Sequence, residues 1–205
     1  MKKISVAMQS QFRGSLIECE RKLRRAIDSF IAQSYDNKEL VIVSDGCNGT
    51  NTVVRSYLEL HSGIIKLISI DKMDNFCNVP RNMAVTNSTG EVVCYLDNDD
   101  FLGKNHLEDI ANGFGVVGEV DWVYYEDHIV TDSQLNSRKR DIALEFGRIG
   151  GGCVAHKKLD GAVWENGYCA DWVLISFLIK NYPNSSKRIE TDGYYVCHIP
   201  TQTDF

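Results

Sequence analysis

Residues 97–100 set three carboxylates and an amide in a row, Asp97-Asn98-Asp99-Asp100, straight after the apolar run Val92-Val93-Cys94-Tyr95-Leu96. Carboxylates packed this closely repel one another, and a divalent cation relieves the repulsion. Mg2+ and Mn2+ take oxygen ligands, and Mg2+ is usually held by one or two carboxylates plus substrate phosphates. The chemistry expected here is therefore a metal–phosphate site. A solvated acidic turn is the plainer alternative, because Asp and Asn are ordinary turn residues. A calcium loop is excluded. Glu108 falls twelfth from Asp97, as an EF-hand requires, but Leu102 stands sixth where Gly is needed, and Phe101 fifth where an oxygen ligand is needed.

The elements around this cluster must deliver it to a binding edge. Val92 to Leu96 has the composition of a short strand buried on both faces, and unpaired charges are too costly to stay in such a strand. The strand therefore ends near Leu96 and presents the acidic residues at its carboxyl end, where open α/β sheets bind ligands. Ile4 to Met8 is an earlier apolar strand, followed by a polar loop, Gln9 to Gly14. Ser15-Leu16-Ile17-Glu18 has the form of a capping box. The helix it opens carries Cys19, Leu23, Ala26, Ile27, Phe30 and Ile31 on one face, with Glu20, Arg21, Lys22, Arg24 and Arg25 turned outward. Glu39 to Val43 is a second strand, leading to the turn-rich Ser44-Asp45-Gly46-Cys47-Asn48-Gly49. Thr50 to Leu60 reads as helix, Ile64 to Ile70 as strand, and Val79 to Asn87 as a helix with Pro80 in its first turn, where Pro is tolerated.

This β-α alternation, with crossovers long enough for parallel neighbours, predicts an α/β fold with a nucleotide-binding half-sheet. The first loop lacks Gly-x-Gly-x-x-Gly, and no Gly-Lys-Ser/Thr occurs, which argues against dinucleotide dehydrogenases and phosphate-loop NTPases. After the acidic cluster the rhythm changes. Asn105 to Phe114 reads as helix, Asp121 to Tyr125 as strand, and Thr131 to Arg148 as a polar loop in which Arg138-Lys139-Arg140 is a solvated run. Gly150-Gly151-Gly152 marks a hinge or a close backbone approach. Cys153 to His156 and Gly193 to Ile199 read as strands, and Asp171 opens an apolar helix as its N-cap.

The chain has 205 residues, 43% of them hydrophobic, which suits one domain with a sizeable core. Its net charge of −6 argues against a nucleic-acid binder, whose surface would be basic. Seven cysteines without a Cys-x-x-Cys pair read as reduced, mostly buried thiols, neither a zinc site nor a disulfide framework. With no apolar leader and no run near the ~20 residues of a membrane span, the expected location is cytoplasmic.

Four blocks resemble the family 2 glycosyltransferases of GT-A fold, which transfer a sugar from a nucleotide diphosphate with inversion. They are Ile4-Ser5-Val6-Ala7-Met8; Gln33-Ser34-Tyr35 with Glu39 to Gly46; Pro80-Arg81-Asn82 with Gly90-Glu91; and Leu96-Asp97-Asn98-Asp99-Asp100. The resemblance covers residues 4–107 and thins beyond 127 to Gly167-Tyr168-Cys169-Ala170-Asp171-Trp172. It implies an open, twisted, mostly parallel sheet flanked by helices, with a smaller irregular acceptor-side half. It also implies one domain over 1–205, with 1–107 holding the nucleotide sugar and 108–205 facing the acceptor.

By the same resemblance Asp45 contacts the nucleobase, usually uracil, and Gln9, Arg81, Asp97 and Asn98 belong with the nucleotide. Asp99 ligates Mn2+ or Mg2+, with His198 as a possible additional ligand, and His156 is another candidate to reach the diphosphate. Asp171 matches the general base. The implied partners are a nucleotide-sugar donor, chiefly a UDP-sugar, and a glycan, lipid-linked or protein acceptor. Ser44 and Ala170 stand where the family has acids, and Gln9 to Phe12 replaces its Thr-x-Tyr-Asn loop. Two rival readings share these features. A non-catalytic nucleotide-sugar or glycan-binding domain agrees with Ala170. A sugar-nucleotide pyrophosphorylase would need a Gly-rich, Arg-containing first loop, which Gln9 to Gly14 is not.

Overall fold

The computed structural model describes residues 2–73, 78–115 and 120–197. The first half alternates as expected: β1 (Ile4–Ser10), α1 (Leu16–Ile31), β2 (Lys38–Asp45), α2 (Asn48–His61), β3 (Ile65–Ile70), α3 (Asn78–Thr86) and β4 (Val92–Tyr95). Then come β5 (Phe101–Leu102), α4 (His106–Phe114), β6 (Trp122–Tyr124), β7 (Asp127–Val130), β8 (Ser137–Lys139), a 3-10 turn, β9 (Val154–Lys157), α5 (Ala170–Asn181), β10 (Ser186–Arg188) and β11 (Tyr194–Val196). The main sheet has seven strands in the order β10-β6-β9-β4-β1-β2-β3. Only β9 runs against the others, antiparallel to both β4 and β6. All eight residues of β2 and all four of β4 are buried, as strands covered on both faces must be. One core layer packs Leu23, Ala26, Ile27 and Phe30 of α1 on this sheet, and the other packs Leu174, Ile175 and Leu178 of α5.

The motif residues Gln33, Tyr35 and Glu39 turn out to hold this frame together. Gln33 Nε2 donates to the carbonyls of Ser29 and Gly103, and its Oε1 accepts from Leu107 N–H at 3.0 Å, which ties the end of α1 to β5 and α4. Tyr35 Oη donates to the Lys2 carbonyl at 2.7 Å. Glu39 accepts from Ser5 Oγ at 2.5 Å, from Thr89 and from Gly90 N–H, and pairs with Lys3 at 3.0 Å. Gly90 is required there, because a Cβ would run into Ser5 and the Lys3 carbonyl.

Burial works to raise the Glu39 pKa, but the bonds from Ser5, Thr89 and Lys3 outweigh it and bring it from 4.5 down to about 2. A carboxyl lowered by folding adds stability that is complete above its unfolded pKa and drains away as pH falls toward its folded one. Glu39→Gln is therefore expected to lower the urea midpoint at pH 7. It should also flatten the loss of stability between pH 4.5 and 2, read by urea melts across that range.

Several expectations are corrected. Ser15 sits at the N-cap of α1, but its side chain makes no capping bond, and Glu18 binds Arg21 at 2.7 Å in place of the helix N-terminus. Lys22 and Arg25 do not turn outward: Lys22 is buried and Arg25 is half-buried, reaching the Asp99 carbonyl. Asp171 is not the cap of α5. Cys169 holds that position and Asp171 lies in the first turn. Arg138 and Lys139 are solvated as expected, but they are not in a loop, and Arg140 is not part of the solvated run. Ser137–Lys139 is a strand, and Arg140 makes a two-pronged pair with buried Asp127, with Nε to Oδ1 at 2.8 Å. Of the glycine readings, close approach wins. A Cβ on Gly152 would lie 2.5 Å from the Tyr194 ring, and one on Gly151 would strike Trp164. Cys94, Cys153 and Cys197 are buried, but Cys19, Cys47 and Cys169 are partly exposed, and none of these six is in a disulfide. Cys77 and His198 lie outside the described residues. Among the described residues no helix is long and apolar enough to cross a membrane.

A second sheet, β5-β11-β7-β8, stands beside the acidic cluster; of its strands only β11 falls within an expected one, Gly193 to Ile199. It is built from strands of two to four residues, and β8 is exposed throughout.

Candidate active site

The acidic residues leave the main sheet where β4 stops, beyond the Ala7–Tyr95 pair of β1 and β4. They do not share one environment. Asp97 pairs with Arg81 of α3, and its N–H donates to Tyr194 Oη at 3.1 Å. Asn98 Nδ2 donates to Ser10 Oγ at 3.2 Å, which ties the turn to the end of β1. The Asp99 carbonyl accepts from Arg25 Nη2 at 2.5 Å.

Asp100 departs from the expectation that the whole cluster leaves the core. It is 4% exposed and accepts from Tyr194 Oη at 2.8 Å and Cys197 N–H at 2.7 Å. Burial, with the Asp99 and Asp97 charges beside it, pushes its carboxyl well above the usual carboxylate range. Asp100 thus ties the turn to β11. Tyr194 Oη bridges it to Asp97 and is the pivot of this arrangement. Tyr194→Phe strips a buried carboxyl of a donor, which costs about 1–3 kcal/mol. A thermal or urea melt is expected to show that loss, and a variant as stable as wild type would remove Tyr194 from this role.

Arg81 is fixed from two sides, by Asp97 and by the Trp164 ring, whose centroid lies 4.4 Å from its guanidinium carbon. Trp164 is in turn fixed by Asn82. Asn82 Nδ2 donates to its carbonyl at 2.8 Å, and Asn82 Oδ1 accepts its N–H at 2.9 Å. Adjacent Arg81 and Asn82 therefore divide the work, one entering the site and the other clamping the 164 segment.

Arg81, Asp97 and Asp171 line one cavity of about 210 Å3, together with Tyr95, Trp164, Gly151, Gly152 and the turn Gly167–Ala170. Asp171 Oδ1 accepts from Trp172 N–H at 2.8 Å, at the N-terminal end of α5, whose dipole favours a negative charge. Gln9 and Asp45 lie outside that lining, at the carboxyl ends of β1 and β2. Gln9 Oε1 is buried with no hydrogen-bond partner among the described residues. Asp45 is 1% exposed and accepts from Met73 N–H at 2.7 Å.

His156 does not reach the site. It is fully buried in β9, with Nδ1 against the Lys157 carbonyl at 2.6 Å and Nε2 against Tyr95 Oη at 2.7 Å. A carbonyl only accepts, so the ring proton sits on Nδ1 and Tyr95 donates to Nε2. Burial lowers the His156 pKa and keeps the ring neutral.

Among the described residues no three His, Cys, Asp or Glu side chains converge as a metal cage. With Asp100 committed to β11 and Asp97 paired with Arg81, the cluster suits a cation that arrives with phosphate oxygens and needs one or two carboxylates.

A sequence profile for glycosyl transferase family 2 matches residues 16–147. The chain belongs to that family. The match starts later than the resemblance in β1 and runs well past residue 107, to include β5, β7 and β8 but not β11. TarP, a poly(ribitol-phosphate) β-N-acetylglucosaminyltransferase of Staphylococcus aureus, is 32% identical over 114 residues, which are 55% of this chain and 33% of that protein. S. aureus TarS 1–349, solved in complex with UDP-GlcNAc, has a TM-score of 0.73 at 17% identity, covering 98% of this chain and 60% of that one. The mannosyltransferase PcManGT of Pyrobaculum calidifontis, solved with GDP-Man and Mn2+, has a TM-score of 0.68 at 16% identity, covering 98% and 58%. The family 2 chain thus has the GT-A fold of these enzymes, with the mostly parallel sheet that was expected. It spans about a third of TarP and 60% of the TarS fragment.

Proposed function

We propose that this family 2 chain transfers a sugar, with inversion, from a UDP-sugar to a hydroxyl of a glycan, lipid-linked or protein acceptor. One observation carries the reading: Arg81, Asp97 and Asp171, drawn from α3, the end of β4 and α5, face one cavity at the carboxyl edge of the sheet. Residues 1–107 hold the nucleotide and 108–205 face the acceptor. Gln9 and Asp45 take the nucleobase at the ends of β1 and β2, where the orphaned Gln9 Oε1 offers an acceptor to a base N–H. UDP is preferred because TarS is a UDP-GlcNAc complex and TarP carries an N-acetylglucosaminyltransferase name.

Asp99 holds Mn2+ or Mg2+, and that cation, when bound, acts as a Lewis acid toward the diphosphate. Arg81, fixed by Asp97 and Trp164, sets a guanidinium against the developing negative charge of the leaving group. Asp171 takes the proton of the acceptor hydroxyl as its oxygen attacks the anomeric carbon from the face opposite the diphosphate. Tyr95, Trp164 and the Gly151-Gly152 backbone wall the cavity.

The test is incubation with a panel of UDP- and GDP-sugars, with Mn2+ or EDTA, reading release of free nucleoside diphosphate. Metal-dependent release from one donor class supports the proposal. No release from any donor, even with long incubation and mixed glycan acceptors, would turn the reading to a non-catalytic binding domain.

A further inference from the structure

The turn that roofs the cavity carries a feature the transfer chemistry does not use. Tyr168 lines the cavity yet is 88% exposed, the most exposed large apolar side chain among the described residues. The turn that holds it is well fixed. Asn82 grips both backbone groups of Trp164, and Asn78 Nδ2 donates to the Glu165 carbonyl. On either side of Tyr168 the backbone is left-handed or nearly so, Gly167 with φ +130° and Cys169 with φ +65°. Nothing lies within 4 Å of where a Gly167 Cβ would be, so glycine is needed there for its conformation and not for space. Cys169 has no such freedom, and a non-glycine residue held in this region costs about 1 kcal/mol or more. The turn thus spends conformational energy to hold an aromatic ring in water at the mouth of the site.

Trp172, next to Asp171 in the chain, meets Phe146 edge-to-face at 6.0 Å, and Phe146 is itself 65% exposed. An exposed aromatic ring on the lining of a cavity marks a ligand-contact surface more often than a singly scattered one. The C–H face of a pyranose ring is apolar while its rim is hydroxylated, so it suits a flat ring in water with a carboxylate beside it.

We propose that Tyr168 is the platform on which a saccharide acceptor stacks its terminal ring, which brings one of that ring's hydroxyls to Asp171. The inference rests on the reading of the cavity as the transfer site, and it narrows the acceptor to one that ends in a sugar.

The test begins with titration of UDP and Mn2+ into the wild type. Absence of binding there defeats the transfer reading itself and is seen before any acceptor is added. The UDP-bound protein is then titrated with cellotriose, chitotriose and maltotriose, followed by saturation-transfer NMR. At least one trisaccharide is expected to bind. Tyr168→Ala should weaken it about tenfold, the upper end of a single aromatic contact, and Tyr168→Trp should restore it. Melting of Tyr168→Ala should match wild type, since the ring is 88% exposed. A wild type that binds UDP but none of the three sugars, or a Tyr168→Ala variant that binds them as well as wild type does, would overturn the proposal.

Discussion

Asp99→Ala is expected to lower release of nucleoside diphosphate from the donor by on the order of 10²–10³-fold, and to make the residual rate indifferent to EDTA. The size follows from the several kcal/mol a Lewis-acid cation contributes to a phosphoryl leaving group, at about 1.4 kcal/mol per tenfold. The specificity follows from the division of the acidic cluster. Asp100 is buried against Tyr194 and Cys197, and Asp97 is paired with Arg81, so neither can replace Asp99 without giving up a partner. The Asp99 carbonyl, which accepts from Arg25, survives the substitution, and a melt shows how much folding the lost carboxylate costs apart from its effect on the metal. Steady-state kinetics with Mn2+ or EDTA, beside a thermal melt, read both halves. An Asp99→Ala enzyme still accelerated by Mn2+ would move the metal role elsewhere.

Asp171→Asn is expected to cut transfer by about 10²–10⁴-fold, the usual contribution of a positioned general base. Nucleotide binding should persist, since Asp171 comes from α5 and neither Arg81 nor Asp97 depends on it for its own pairing. The variant should also fold normally. Asn keeps an oxygen able to accept the Trp172 N–H, and Asp171 is not the residue at the cap of α5. Asp171 therefore has a structural bond of its own at the start of α5, without being the cap residue, and the transfer assay separates that role from the chemical one. Retention of full transfer by Asp171→Asn would favour a different base, or a binding domain in which Ala170 signals lost chemistry.

The nucleotide half was legible because its signals are local. Continuous apolar strands, amphipathic α1 and Pro80 at the start of α3 each declare themselves within about ten residues. The acidic turn was legible as a group, but not the separate fate of each acid. Asp100 looks like its neighbours in sequence, and only β11, nearly a hundred residues on, supplies the Tyr194 hydroxyl and Cys197 N–H that bury it. The same distance hides why Gln33 and Glu39 occur in their motifs: both stitch backbone segments and never approach the cavity.

The second sheet was missed for another reason. Ser137–Lys139 is polar and exposed along its length, and neither alternation nor apolar runs mark a strand whose partner, β7, is almost as short. Arg140 read as one charge in a basic run because its partner, Asp127, lies on another strand. Tyr168 was visible only as part of the Gly167 to Trp172 resemblance, and Trp164 only as one of three candidate core tryptophans, one of which could stack on acceptor sugar. Tyr168 becomes meaningful through its exposure and Trp164 through Arg81 beneath its ring.

The central claim is that this edge of the sheet is a metal-assisted nucleotide site, and calorimetric titration tests it most directly. UDP and GDP would be titrated into the wild-type chain in Mn2+ and again in EDTA. Saturable binding of UDP in Mn2+, weakened at least about tenfold by EDTA, is the predicted result and would also name the base. No binding of either nucleotide under either condition would contradict the account, and the acidic cluster would then be a surface turn on a GT-A fold.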